Sequence, residues 1–122
     1  MARILLIEDE KNIARAVRDK LTHQGFTVQV FQSGPEALQW LVTEAPDVIL
    51  LDLLLPEMDG FEILGRIRAE ARTKDIPVII LSVLAEEERV KKLPIQGFLH
   101  KPYKNSELLA IVQDTLARYG GN

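Results

Sequence analysis

Ile4-Leu5-Leu6-Ile7 runs directly into Glu8-Asp9, and Val48-Ile49-Leu50-Leu51 runs into Asp52. Two more apolar runs behave alike: Val78-Ile79-Ile80-Leu81 stops at Ser82, and Phe98-Leu99-His100 stops at Lys101-Pro102. Short runs rich in β-branched residues, with no polar alternation, fit strands covered on both faces, as in a parallel sheet between helix layers. In such sheets ligands bind outside the carboxyl ends of the strands. Three carboxylates, one hydroxyl and one ammonium are therefore expected at one sheet edge. That set suits a magnesium ion and a phosphoryl group.

Outward from these stops, strands are expected at 3–7, 27–31, 47–51, 77–81 and 98–100. Helical patterns separate them. Residues 12–24 carry Ile13, Val17 and Leu21 on one stripe, with Gly25 just past the end as a C-cap. Ser33-Gly34-Pro35-Glu36 has the spacing of a capping box, and so does Asp59-Gly60-Phe61-Glu62. The first would open a helix bearing Leu38, Leu41 and Val42; the second would open one burying Ile63 and Ile67. A fourth helix is expected from near Ala85, supported by Glu87/Lys91 and Glu88/Lys92 and ended early by Pro94. The last starts near Asn105 or Ser106 and buries Leu108, Leu109, Val112 and Leu116. Five strands alternating with five helices specify an α/β fold with a parallel sheet.

The length of 122 residues fits one domain. A composition of 47% hydrophobic and 27% charged residues is that of an ordinary globular protein. The net charge of -3 argues against generic nucleic-acid binding, which needs a basic surface. With no cysteine, disulfides, thiolate metal sites and thiol nucleophiles are excluded. No run reaches transmembrane length and no leader pattern opens the chain, so a cytoplasmic protein with no membrane contact is expected. Gly120-Gly121-Asn122 reads as either a natural end or the start of a linker.

Alone, each polar stop has an ordinary explanation. Asp52 could cap a turn, and Asp9 or Glu10 could favour the positive end of a helix. Ser82 could start a helix, and Lys101 could be a surface lysine. Together they read differently. Crowded acids repel and raise each other's pKa unless a cation compensates. Magnesium takes oxygen ligands, accepts one or two carboxylates and keeps waters and phosphate oxygens in its other positions. An aspartate at the dry end of a strand can attack phosphorus. Lys101 precedes a proline, which excludes helical geometry and allows a cis bond. His100 should face away from Lys101 and be structural, and His23 sits near a helix end, where its charge is favourable.

These pieces, ILLIEDE, DVILLDLLLPEMDGFEIL, IPVIILS and FLHKPY in that order, resemble the receiver domain of two-component response regulators over essentially the whole of 1–122, read as a single domain. The resemblance implies a flavodoxin-like doubly wound sheet of order 2-1-3-4-5. It implies that Asp52 accepts a phosphoryl group from a phosphohistidine on a sensor histidine kinase or a histidine phosphotransfer domain. Asp9 and Asp52 would bind Mg²⁺ directly, Glu8 through water, and the Leu54 backbone carbonyl would be a further ligand. Lys101 would pair with the acyl phosphate, Ser82 would move to bond it, and Phe98 would occupy an aromatic switch position or remain a simple core aromatic. A signalling domain that catalyses its own phosphorylation and dephosphorylation is implied, rather than an enzyme acting on others; the resemblance also allows a homodimer.

Two departures stand out. The stretch from Ser82 to Lys101 is about one helical turn shorter than the resemblance implies, and Leu93-Pro94-Ile95-Gln96-Gly97 leads into the last strand, so the fourth helix should be shortened or irregular. Leu54 and Leu84 stand two residues beyond Asp52 and Ser82, where apolar bulk would hinder a hydrolytic water and prolong the phosphorylated form. A docking-only pseudo-receiver is the alternative, but such chains lose an acid or the lysine, and none is lost here. An aspartate-nucleophile phosphatase would need an acid where Leu54 stands. A dinucleotide-binding reading fails because Glu8-Asp9-Glu10, not a glycine-rich turn, follows the first strand.

Overall fold

A computed structural model describes residues 2–83 and 87–119. In chain order it holds β1 (Arg3–Ile7), α1 (Lys11–His23), β2 (Thr27–Phe31), α2 (Gly34–Leu41), β3 (Val48–Asp52), α3 (Gly60–Ala69), β4 (Val78–Ser82), α4 (Glu87–Val90), β5 (Gly97–His100) and α5 (Asn105–Tyr119). All strand pairs are parallel and the sheet order is β2-β1-β3-β4-β5, the doubly wound flavodoxin-like arrangement.

Strand alternation divides the core into two layers. Leu5, Ile7, Ile49, Leu51, Val78 and Ile80 pack toward α2, α3 and Val90 of α4. Ile4, Leu6, Val48, Leu50, Ile79 and Leu81 pack toward α1 and α5. Every residue of β3 and β4 is buried, as continuous apolar runs require. Truncating Leu50 or Leu51 to alanine would cost about 2–5 kcal/mol. The expectation of two covered faces fails for β5, which is only half-buried, because the strand order leaves it at an edge.

Local signals held unevenly. Gly25, at φ 99°, ends α1 with its amide on Thr22 O at 3.0 Å and the Phe26 amide on Leu21 O at 3.1 Å. These are the two bonds of a Schellman cap, with Phe26 packed against the core layer that holds Leu21. Asp59 Oδ1 caps α3 by accepting from the Glu62 amide at 2.9 Å. The capping box at Ser33 does not form. The Ser33 hydroxyl accepts from no helix amide and instead donates to Glu36 Oε1 at 3.3 Å.

Other expected core positions shift. The buried stripe of α1 is Ala14, Val17 and Leu21, while Ile13 is 36% exposed at its margin. α2 stops at Leu41, so Val42 is exposed. α5 buries Leu108, Val112 and Thr115, with Leu109 and Leu116 half-buried. The described part of α4 spans four residues, and backbone bonds from Lys92 to Arg89 and from Leu93 to Val90 close it before Pro94. It ends before Pro94, as its sequence implies. Its expected start at Ala85, Leu84, the Glu87 side chain and Gly120-Gly121-Asn122 lie outside the described residues. Among the described residues no helix is long and apolar enough to cross a membrane.

Candidate functional site

The polar stops lie at the carboxyl edge of the sheet because parallel strands end on the same side. β1 leads into Glu8 and Asp9, β3 ends on Asp52, β4 on Ser82, and Lys101 follows β5. Glu8, Asp9 and Asp52 each offer a carboxylate oxygen within 4.8 Å of the others; Glu8 and Asp52 are buried and Asp9 is exposed. Lys101 Nζ donates to Asp52 Oδ2 at 2.9 Å and to Glu8 Oε1 at 3.0 Å. The Lys101–Pro102 peptide is cis.

The second oxygen of each buried acid is also held. Asp52 Oδ1 accepts from the Leu54 amide at 3.0 Å, and Glu8 Oε2 from the Glu10 amide at 3.1 Å. Glu10 itself caps α1, taking the Asn12 amide at 2.9 Å. Capping therefore falls to Glu10, and Asp9 is left to the acidic cluster.

One ammonium cannot balance three carboxylates, and Glu8 carries the strain. Burial first, then its hydrogen bond to Asp52 and the Asp52 charge, raise its pKa to about 7 against the pull of Lys101 and the Glu10 amide. Burial alone would lower the Lys101 pKa; the hydrogen bonds and charges of Asp52 and Glu8 outweigh it, so the net shift is upward and the ammonium persists. An all-oxygen donor set, short of positive charge and reaching solvent through Asp9, fits a magnesium ion that keeps some of its waters. Leu54, whose carbonyl is the further expected ligand, adjoins this set through its amide and is 59% exposed.

The loop after Asp52 is held from behind by Gly60. Its amide donates to Leu53 O at 2.9 Å. A Cβ on Gly60 would lie 2.5 Å from Leu53 Cα and 2.8 Å from Asp52 O, so only glycine lets α3 begin this close to the acid. Glu57 in the same loop has a left-handed φ of 67°. Gly60 was legible only as part of a helix start; the close approach gave no local signal.

Ser82 is buried, and its hydroxyl has no hydrogen-bond partner. Strand alternation sends it to the side of Val78 and Ile80, so no hydrogen bond joins it to the carboxylates. Phe98 is half-buried against the α2–α3 layer and meets His100 edge-on, ring centroids 4.7 Å apart. His100 thus packs on Phe98, opposite Lys101. His23 ends α1 in the open. Sequence reasoning missed Tyr103, two residues past Lys101. Its hydroxyl is buried without a partner. Burial raises its pKa, the Glu8 and Asp52 charges add to that, and Lys101 opposes it.

Comparison with known proteins adds the family. Residues 4–113 match the response regulator receiver domain. The regulatory protein VanRc of Enterococcus gallinarum is 35% identical over 120 residues, which cover 96% of this chain and 51% of that protein. The DNA-binding dual master transcriptional regulator RpaA of Synechocystis is 38% identical over 125 residues, covering 97% of this chain and 50% of RpaA. The chain spans about half the length of the curated relatives it matches. The crystal structure of the receiver domain of sensor histidine kinase PA1611 from Pseudomonas aeruginosa, with a magnesium ion in its active site cleft, superposes with a TM-score of 0.87 at 29% identity, covering 99% of this chain and 98% of that one. This chain belongs to the response regulator receiver domain family of two-component signalling.

Proposed function

We propose that this chain is a phosphorylatable receiver in which Asp52 takes a phosphoryl group from a phosphohistidine on a sensor histidine kinase or histidine phosphotransfer domain. One observation carries the reading: the Lys101 ammonium bridges Asp52 and Glu8 beside a third carboxylate, Asp9, at the open end of the sheet. An oxygen of Asp52 forms the new bond to phosphorus, the phosphorus–nitrogen bond breaks, and the imidazole departs with the electron pair. Lys101 and the Leu54 amide orient the nucleophile from its two oxygens. Mg²⁺, held by Asp9, Asp52, the Leu54 carbonyl and, through water, Glu8, would neutralise charge on the transferring group.

Phosphorylation adds close to two negative charges to a crowded acidic edge. Lys101 then shifts its share of hydrogen bonding toward the new oxygens, and the buried Ser82 hydroxyl gains an acceptor. Phe98, resting on His100, is free to repack if Ser82 leaves its side of the sheet. This shifts a two-state equilibrium already within reach of the resting protein. Hydrolysis of the acyl phosphate, also self-catalysed, resets it. The family match and the shared two-layer core support reading 1–122 as one receiver domain acting in the cytoplasm. RpaA is named as DNA-binding, but only half of it is matched here, so nucleic-acid contact is not carried over to these residues.

The test is incubation with a small acyl phosphate donor and Mg²⁺, read by intact mass. Wild type should gain a phosphoryl adduct and Asp52→Asn should not. An adduct persisting in the variant, or absent from both proteins, would overturn the assignment.

A further inference from the structure

Among the described residues two side-chain polar atoms are buried with no hydrogen-bond partner, Ser82 Oγ and Tyr103 Oη. Both belong to the segments that end at the acidic edge. A buried hydroxyl without a partner carries a desolvation penalty that a neighbouring acceptor would remove. Tyr103 packs against the layer of Ile4 and Leu6, the face of the sheet that Glu8 continues, and stands two residues past the Lys101 that bridges Glu8 and Asp52; it also feels the charges of all three. It lines a mainly apolar groove of about 370 Å³ with Lys101, Pro102, Ile13, Val17 and Val83.

Glu8 is the group with most to lose when the site is loaded. Its side chain is 1% exposed, and Lys101 is shared between it and Asp52 at 3.0 and 2.9 Å. A phosphoryl group on Asp52 draws the ammonium away, leaving the buried Glu8 Oε1 without its donor from the protein. We propose that the Tyr103 hydroxyl is a donor held in reserve, idle in the resting protein and hydrogen-bonded to Glu8 once Asp52 carries a phosphoryl group. Tyr103 is then a positioning residue, acting through Glu8 on the loaded site. This rests on the receiver reading above.

The experiment uses beryllium trifluoride with Mg²⁺ as the phosphoryl mimic. Tyr103→Phe removes only the hydroxyl, so without the mimic it should melt at the wild-type temperature or above it. Its affinity for the mimic should fall about tenfold, equivalent to about 1.4 kcal/mol. Tyr103 and Tyr119 are the two tyrosines of the chain, so Tyr119→Phe leaves Tyr103 as the sole tyrosine chromophore of its kind. In that background the near-UV tyrosine band should shift to the red on adding the mimic, as a phenol does when it donates, and Asp52→Asn should abolish the shift. Equal affinity in Tyr103→Phe and wild type, or a band that stays still while the mimic binds, overturns the proposal alone. Failure of wild type to take up the mimic overturns it together with the receiver reading.

Discussion

Arg68 provides the sharpest test of how this chain holds the segment between α4 and β5. The guanidinium at the end of α3 donates to Pro94 O at 2.9 Å, Lys74 O at 2.9 Å, Ile76 O at 2.8 Å and Gln96 Oε1 at 2.8 Å. Gln96 Oε1 also takes the Val78 amide at 2.8 Å. One planar fork thus ties α3 to the entry of β4 and to the irregular segment before β5. The bonds to Pro94 and Lys74 face solvent, and water can replace them in Arg68→Ala at little cost. The bonds to Ile76 and Gln96 are partly buried, and losing each leaves an acceptor short, about 1–1.5 kcal/mol apiece. The expected loss is therefore about 2–3 kcal/mol, or about 10 °C in melting temperature for a domain of this size. Lysine keeps the charge but reaches only one acceptor at a time, so Arg68→Lys should recover less than half of the loss. Urea denaturation of the three proteins gives the magnitudes, and hydrogen exchange should show faster opening at Gly97–His100. Arg68→Lys matching wild type, or Arg68→Ala losing under about 1 kcal/mol, would refute the clamp.

Gly60→Ala should destabilise by about 1–3 kcal/mol through the clash with Leu53 and Asp52, and its yield of phosphoryl adduct should fall; Gly65→Ala, with open space around it, should gain about 0.5–1 kcal/mol as a control. The Glu8 pKa of about 7 in the folded protein lies above its ordinary 4.5, so the fold favours the protonated acid. That contribution is present below 4.5 and lost as pH rises toward 7. Without divalent metal, Glu8→Gln should therefore melt above wild type at pH 8 and close to it near pH 4; a difference independent of pH would remove Glu8 as its source. Leu54 is exposed beside Asp52, and Leu54→Asn should shorten the lifetime of the phosphoryl adduct, with unchanged decay counting against shielding by Leu54.

The parts of this molecule written in local patterns were legible. β1, β3 and β4 announce themselves as unbroken apolar runs, and their common direction collects Glu8, Asp9, Asp52 and Lys101 without further information. What failed depends on partners distant in sequence or on chemistry one residue away. Ile13 has the right period for the core but falls at the edge of the α1 stripe, where it is left 36% exposed. Ser33 has the spacing of a capping box, but its hydroxyl turns to the Glu36 carboxylate rather than to the helix amides. Arg68 finds its acceptors between 6 and 28 residues away, a reach no periodicity encodes. Tyr103 needed the folded site to reveal that its hydroxyl has no partner.

These late-appearing features share a physical character. The resting acidic edge holds a carboxylic acid at a raised pKa and two partnerless hydroxyls, each a deficit of about 1–3 kcal/mol. The two core layers tolerate them because every residue of β3 and β4 is buried. A phosphoryl group alone would supply an acceptor to Ser82 and free Glu8 Oε1 for Tyr103 while deepening the charge deficit at Glu8. A cation alone would relieve Glu8 and leave both hydroxyls idle. Only the two together satisfy all three groups, so each should raise the affinity for the other. Cooperative loading of this kind is what a switch requires, because it leaves the half-loaded states least populated.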